Sequence, residues 1–164
     1  MRSAIVSKHM KARRADGCKT VKTTENDGDV AAFLASIPNK GRAEDTGAVA
    51  DMMQRITGCP PRMWGDSIIG FDGYDYKRRD GSAHRWFVTG VSPRKANLTI
   101  YIMPGFKRYP DIMSRLGPYK NSISCLYLSR LSKIDVAVLE ELITASVSDM
   151  RAAYHEGDTT TPLP

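Results

Sequence analysis

The chain has 164 residues, 41% apolar and 26% charged, a length at which one domain buries roughly two thirds of the surface its unfolded form exposes. That balance argues against a disordered chain, and no run of about 18 or more apolar residues suggests a membrane-spanning helix. The net charge of +6 is local: residues 1–22 hold seven Lys/Arg against one Asp, whereas residues 23–164 hold seventeen of each sign, so nucleic-acid binding is not expected of the domain itself.

In chain order, residues 1–24 are rich in Lys, Arg, Ser and Thr and read as a flexible basic tail that cannot repay the entropy of ordering. A single domain is expected over residues 25–156, with a disordered C-terminal tail over 157–164. Val30, Phe33, Leu34 and Ile37 fall at helical spacing after the candidate N-caps Asn26, Asp27 and Asp29, and Pro38 stops the run. A second helix is predicted from Val49, Met52, Met53 and Ile56, beginning near Asp45 or Thr46 and ending at Gly58. Its methionines are read as core packing rather than cofactor ligands.

The β-branched and aromatic run Ser67 to Lys77, the polar turn at Asp80-Gly81 and the run Arg85 to Val91 predict a β-hairpin. Leu98 to Met103 makes a further strand before Pro104-Gly105, a short helix fits after Pro110, and Ser124 to Leu128 makes another strand. Val136, Leu139, Ile143, Val147, Met150 and Tyr154 then sustain one apolar face of a long closing helix. The expected fold is α+β: an antiparallel sheet of about four to five strands packed with N-terminal helices and a long C-terminal helix.

Cys18, Cys59 and Cys125 form an odd set without CxxC spacing, which argues against a disulfide framework and a cysteine-rich zinc site and for reduced thiols. A cytoplasmic setting is expected because Met1 to Lys8 lack the long apolar stretch of a secretory signal. Cys125 lies within a predicted strand and is expected to be buried and inert. His9, His84 and His155 are scattered, so no Cys/His pair is legible. GxSxG, HExxH and phosphate-loop signatures are missing from the sequence.

Four ordered motifs carry a resemblance. Met63-Trp64-Gly65-Asp66-Ser67-Ile68-Ile69-Gly70-Phe71, Ser92-Pro93-Arg94-Lys95-Ala96-Asn97-Leu98-Thr99-Ile100-Tyr101, Gly105-Phe106 with Tyr109, and Ser124-Cys125-Leu126-Tyr127 resemble the landmarks of the YdhG-like family of mostly uncharacterised bacterial domains, over about residues 23–154. The resemblance implies an α+β fold with an antiparallel sheet. One branch of the family is described as a frataxin-like intracellular iron chaperone, so iron is implied by resemblance only. The chain departs from the family at Asp72, where a small residue, usually Gly, would stand, and at Ser122 and Ile123, which replace a Gly and a Lys; Lys120 remains.

In the Ser92-Pro93-Arg94-Lys95 turn, Arg offers a planar fork of donors and Lys a point charge, a pair suited to carboxylate or phosphate. Trp64, Tyr74, Tyr101 and Lys120 complete a candidate aromatic and basic ligand pocket if the sheet gathers them. The alternative is that Arg94 and Lys95 are solvated turn residues paired with Asp66 or Asp75. For a metal, the candidates are Asp66, Asp72, Asp75 and Asp80, with Glu25, Asp27 and Asp29 as a second acidic patch. The reading that follows is a non-enzymatic binding module for a small anionic ligand, a metal ion or a partner protein, without a membrane or nucleic-acid partner. The alternatives are an iron chaperone of frataxin type and an enzyme using Cys125 or a Tyr-Lys pair, Tyr101 with Lys95 or Lys120.

Overall fold

The computed structural model describes residues 23–155. The tails expected at the two ends lie outside the described residues, apart from Thr23 and Thr24; the Thr24 carbonyl accepts a hydrogen bond from Gly65 N at 2.9 Å. Helix α1 (Val30–Ala35) starts where the Asp29 carboxylate accepts from Ala32 N at 3.0 Å. Helix α2 (Lys40–Thr57) begins earlier than its apolar stripe indicates, at an Asn39 cap bonded to Arg42 N at 2.8 Å, and ends at Gly58 in the left-handed region, φ 68°. Its first turns escape the hydropathy pattern because a charged residue does the burying. Asp45 is buried and accepts from Arg130 Nε at 2.8 Å and Leu131 N at 3.2 Å. Met52 and Met53 are buried in the core, as the stripe predicts.

The strands are β1 (Glu25–Asn26), β2 (Arg62–Trp64), β3 (Ile68–Phe71), β4 (Tyr74–Lys77), β5 (Ala83–Trp86), β6 (Thr89–Pro93), β7 (Leu98–Ile102), β8 (Lys120–Asn121) and β9 (Cys125–Leu128). Helix α3 (Pro110–Arg115) lies between β7 and β8, and helix α4 (Val136–His155) closes the fold from an Asp135 cap bonded to Ala137 N at 3.0 Å.

The main sheet is antiparallel with seven strands in the order β1-β2-β3-β6-β7-β9-β8, and β4-β5 form a separate two-stranded sheet. This corrects the expected four to five strands. The additional strands β1, β2 and β8 have two or three residues each, too short to show a period-two alternation. The single hairpin expected between residues 67 and 91 is two nested ones: β3 pairs with β6, setting Ile69 opposite Val91, and β4 pairs with β5, setting Tyr74 opposite Trp86. The break falls at Asp72, which alone among the described non-glycine residues has a positive φ, 57°.

Alternation gives the main sheet two unlike faces. Met63, Ile69, Phe71, Val91, Leu98, Ile100, Ile102, Leu126 and Leu128 point to one side, where they form the principal core with Val49 and Met53 of α2 and Leu139, Leu142 and Ile143 of α4. Trp64, Gly70, Gly90, Ser92, Thr99, Tyr101, Cys125, Tyr127 and Lys120 fall on the other face by register. No helix covers that side among the described residues; the β4-β5 hairpin overhangs one end of it, packing Trp86 beside Trp64, Phe87 and Tyr101.

Candidate functional site

The open face is built on a row in register across four strands: Gly70 opposite Gly90, Gly90 opposite Tyr101, Tyr101 opposite Cys125. The two glycines make room for large rings. A Cβ on Gly70 would lie 2.5 Å from Trp64 Cδ1 and 2.9 Å from Phe87 Cβ, and one on Gly90 would lie 3.2 Å from the Phe87 ring. Trp64 and Phe87 fill that space almost completely buried, at 1% and 0% exposure. Trp86 packs over them with ring centroids 5.7 Å from Trp64 and 4.7 Å from Phe87, and Tyr101 meets Phe87 edge-on at 5.1 Å.

Next to this cluster, where the hairpin rises off the sheet, lies an open groove of about 380 Å³ lined by Tyr74, Tyr76, Trp86, Tyr101, Met103 and Cys125, with Arg78 at its rim. Arg94, in the β6-β7 turn, donates from Nη2 to the hydroxyl of Tyr101, one of the groove's lining residues, at 3.4 Å. A second cleft of about 370 Å³ follows along the same strands and is lined by Asn97, Tyr119, Lys120 and Tyr127, among others.

The structure thus gathers most of the sequence candidates without making them one pocket. Tyr74 and Tyr101 share the groove, Arg94 stands beside Tyr101, and Lys120 lies on the same face in the neighbouring cleft, opposite Tyr127. Lys95 is exposed in the turn next to Arg94. Trp64 is a foundation rather than a contact residue; only its edge borders a separate cleft with His84 and Arg85. The pairing expected of Arg94 and Lys95 with Asp66 or Asp75 is not formed: Asp75 pairs with Arg85 at 3.5 Å, and among the described residues no carboxylate makes an ion pair with either turn cation. Cys125, expected to be buried, is half-exposed in the groove wall, because its strand position alternates onto the uncovered face. Tyr76, Arg78, Trp86 and Met103 were not singled out from the sequence. The shared parity of Tyr74 and Tyr76 was a usable signal, but which face would stay uncovered was not.

Burial, followed by the neighbouring Tyr154 and Tyr76 phenols, pushes the Tyr74 hydroxyl above its usual range, so it serves the groove as a neutral donor and a ring face. Neither Lys95 nor Lys120 hydrogen-bonds the Tyr101 hydroxyl, whose partner is Arg94. Of the acids proposed for a metal, all but Asp66 have other partners. Asp72 holds Arg151 at 3.0 Å, Asp80 accepts from Ser82 at 2.6 Å, Glu25 pairs with Arg62 and Arg85, Asp27 pairs with Arg62, and Asp29 caps α1. Among the described residues no three His, Cys, Asp or Glu side chains gather as a metal-holding group, and no helix there is long and apolar enough to cross a membrane.

No family model, curated protein or solved structure matches the chain. The resemblance to the YdhG-like family accordingly rests on the four sequence motifs.

Proposed function

We propose that this protein is a non-enzymatic binding module whose open sheet face takes a small anion with a flat apolar body. The observation that carries the reading is the groove itself: the rings of Trp86, Tyr76 and Tyr101 with Arg78 in its lining and Arg94 bonded to the Tyr101 hydroxyl, two arginines that make no ion pair among the described residues. Its volume falls within the range of small-molecule sites. An aromatic or heterocyclic body would lie against the rings, and its carboxylate or phosphate would meet the Arg94 fork, a charge-assisted contact worth about 1.5–3 kcal/mol.

The test is a thermal-shift series with aromatic carboxylates, nucleoside monophosphates, inorganic phosphate and anaerobic ferrous iron, because a ligand that favours the native state raises the midpoint by mass action. The expected result is a saturable rise with aromatic anions that weakens about tenfold or more in Arg94→Ala. A flat series, or a rise that Arg94→Ala and Tyr101→Ala both leave unchanged, would overturn the reading. A rise with ferrous iron alone would instead favour the iron-chaperone alternative. The half-exposed thiol of Cys125 in the groove wall favours one other reading, a thiol enzyme, for which the expected sign is iodoacetamide labelling at neutral pH much faster than that of a free thiol.

A further inference from the structure

The neutrality of residues 23–164 conceals a segregation. Residues 74–129, which include the hairpin, the β6-β7 turn, strands β6, β7, β8 and β9 of the open face and helix α3, carry ten Lys/Arg against three Asp, whereas residues 23–73 and 130–164 together carry seven Lys/Arg against fourteen acids. Three of the ten cations are spent in ion pairs: Arg85 with Glu25 and Asp75, Arg108 with Asp149, and Arg115 with Glu141. Among the described residues the other seven, Lys77, Arg78, Arg79, Arg94, Lys95, Lys107 and Lys120, make no ion pair, and all are exposed. Arg78 lines the groove, Arg94 bonds the Tyr101 hydroxyl and Lys120 lines the neighbouring cleft, while Lys77 and Arg79 lie on the hairpin and Lys95 in the turn.

We infer that the open face is a binding track for single-stranded nucleic acid. The inference rests on the reading of the groove as an anion site and extends it from one anion to a chain of them. Tyr101 of β7 and Tyr127 of β9 are diagonal neighbours on this face, since Tyr101 pairs with Cys125, which lies two residues, about 7 Å, before Tyr127 on β9. That step suits consecutive unstacked nucleotides, whose bases meet ring faces while the phosphates meet cations on either side. A duplex would hide its bases and could use only the cations.

The experiment is fluorescence anisotropy with the full chain and a labelled mixed-sequence 12-nucleotide RNA, its DNA counterpart and a duplex of equal length, across a salt series. The expected result is single-strand binding at least about tenfold tighter than duplex binding. Tyr101→Ala should weaken it about tenfold or more, while Tyr101→Phe, which keeps the ring, retains it. Lys120→Ala should lower the slope of log affinity against log salt by about 0.7. A preference between RNA and DNA would report whether the 2′-hydroxyl is contacted, and either supports the inference. Equal binding of duplex and single strand that Tyr101→Ala leaves unchanged overturns it, because the seven cations of residues 1–22 would then account for the binding. If nucleoside monophosphates raise the melting midpoint but the 12-nucleotide strands bind no tighter than they do, the anion site stands and the track falls.

Discussion

Asp72 does two jobs at one position. Its backbone adopts φ 57°, a conformation that glycine accepts freely and Asp or Asn accepts better than other side chains. Its carboxylate takes Gly73 N at 2.8 Å and the Arg151 guanidinium at 3.0–3.1 Å, while Arg151 also donates to the Thr57 carbonyl at 2.6 Å. The residue therefore ends β3, allows the chain to leave the main sheet for the hairpin, and ties that corner to α4. Asp72→Ala should cost about 2–4 kcal/mol in urea unfolding, since it breaks a half-buried charged pair and places a Cβ residue at positive φ. Asp72→Gly should cost about 1 kcal/mol less, because it loses the pair but not the conformation. Equal losses in the two variants would show that the backbone requirement is unimportant.

At the scale of elements, glycine has opposite meanings in strand and helix. Gly70 of β3 lies beneath Trp64 and Phe87, with a Cβ there only 2.5 Å from the indole. Gly70→Ala should therefore lower stability by about 1–3 kcal/mol through overpacking. It should also loosen Trp86 and Tyr101, which pack on that cluster, and so weaken any ligand in the groove. Gly47 of α2 has nothing within 4 Å of an added Cβ, and Gly47→Ala should raise stability by about 0.5–1 kcal/mol from helix propensity alone. A pair of thermal melts checks both signs.

Across the whole molecule, α4 is clasped by phenols near its C-terminal end. Tyr154 packs on Tyr74 with ring centroids 4.2 Å apart, and Asp149 accepts from the Tyr109 hydroxyl at 2.6 Å. Burial first, and then the Asp149 hydrogen bond, raises the Tyr109 hydroxyl above its ordinary value of 10.0, as burial does for Tyr74. With the folded pKa above the unfolded one, the unfolded chain releases these protons first. The stabilisation is complete below about pH 10 and is lost as pH rises through the raised folded values. Unfolding midpoints should be level up to about pH 10 and then fall, and Tyr109→Phe should flatten that fall.

Local chemistry sufficed for several parts of the fold. Gly58 and Pro110 marked where helices end and begin, the methionine stripe of α2 announced its core face, and Val136 to Tyr154 displayed α4, because each is a periodicity or backbone preference contained within a few turns of chain. The α+β class and the basic and aromatic landmarks followed from the same information. The strands β1, β2 and β8 were illegible because two or three residues carry no period, and the nested hairpins were hidden because pairing is a choice between distant partners. The candidate site was half legible for the same reason. Residue types named Tyr74, Tyr101, Arg94 and Lys120, but only the packing of α2 and α4 on one face of the sheet left the other uncovered, exposed Cys125, buried Trp64 and brought Trp86 and Arg78 to the groove. Sequence by itself determined which side chains could hold an anion; tertiary structure decided which of them meet, because burial on one face of a sheet depends on what the rest of the chain places over the other.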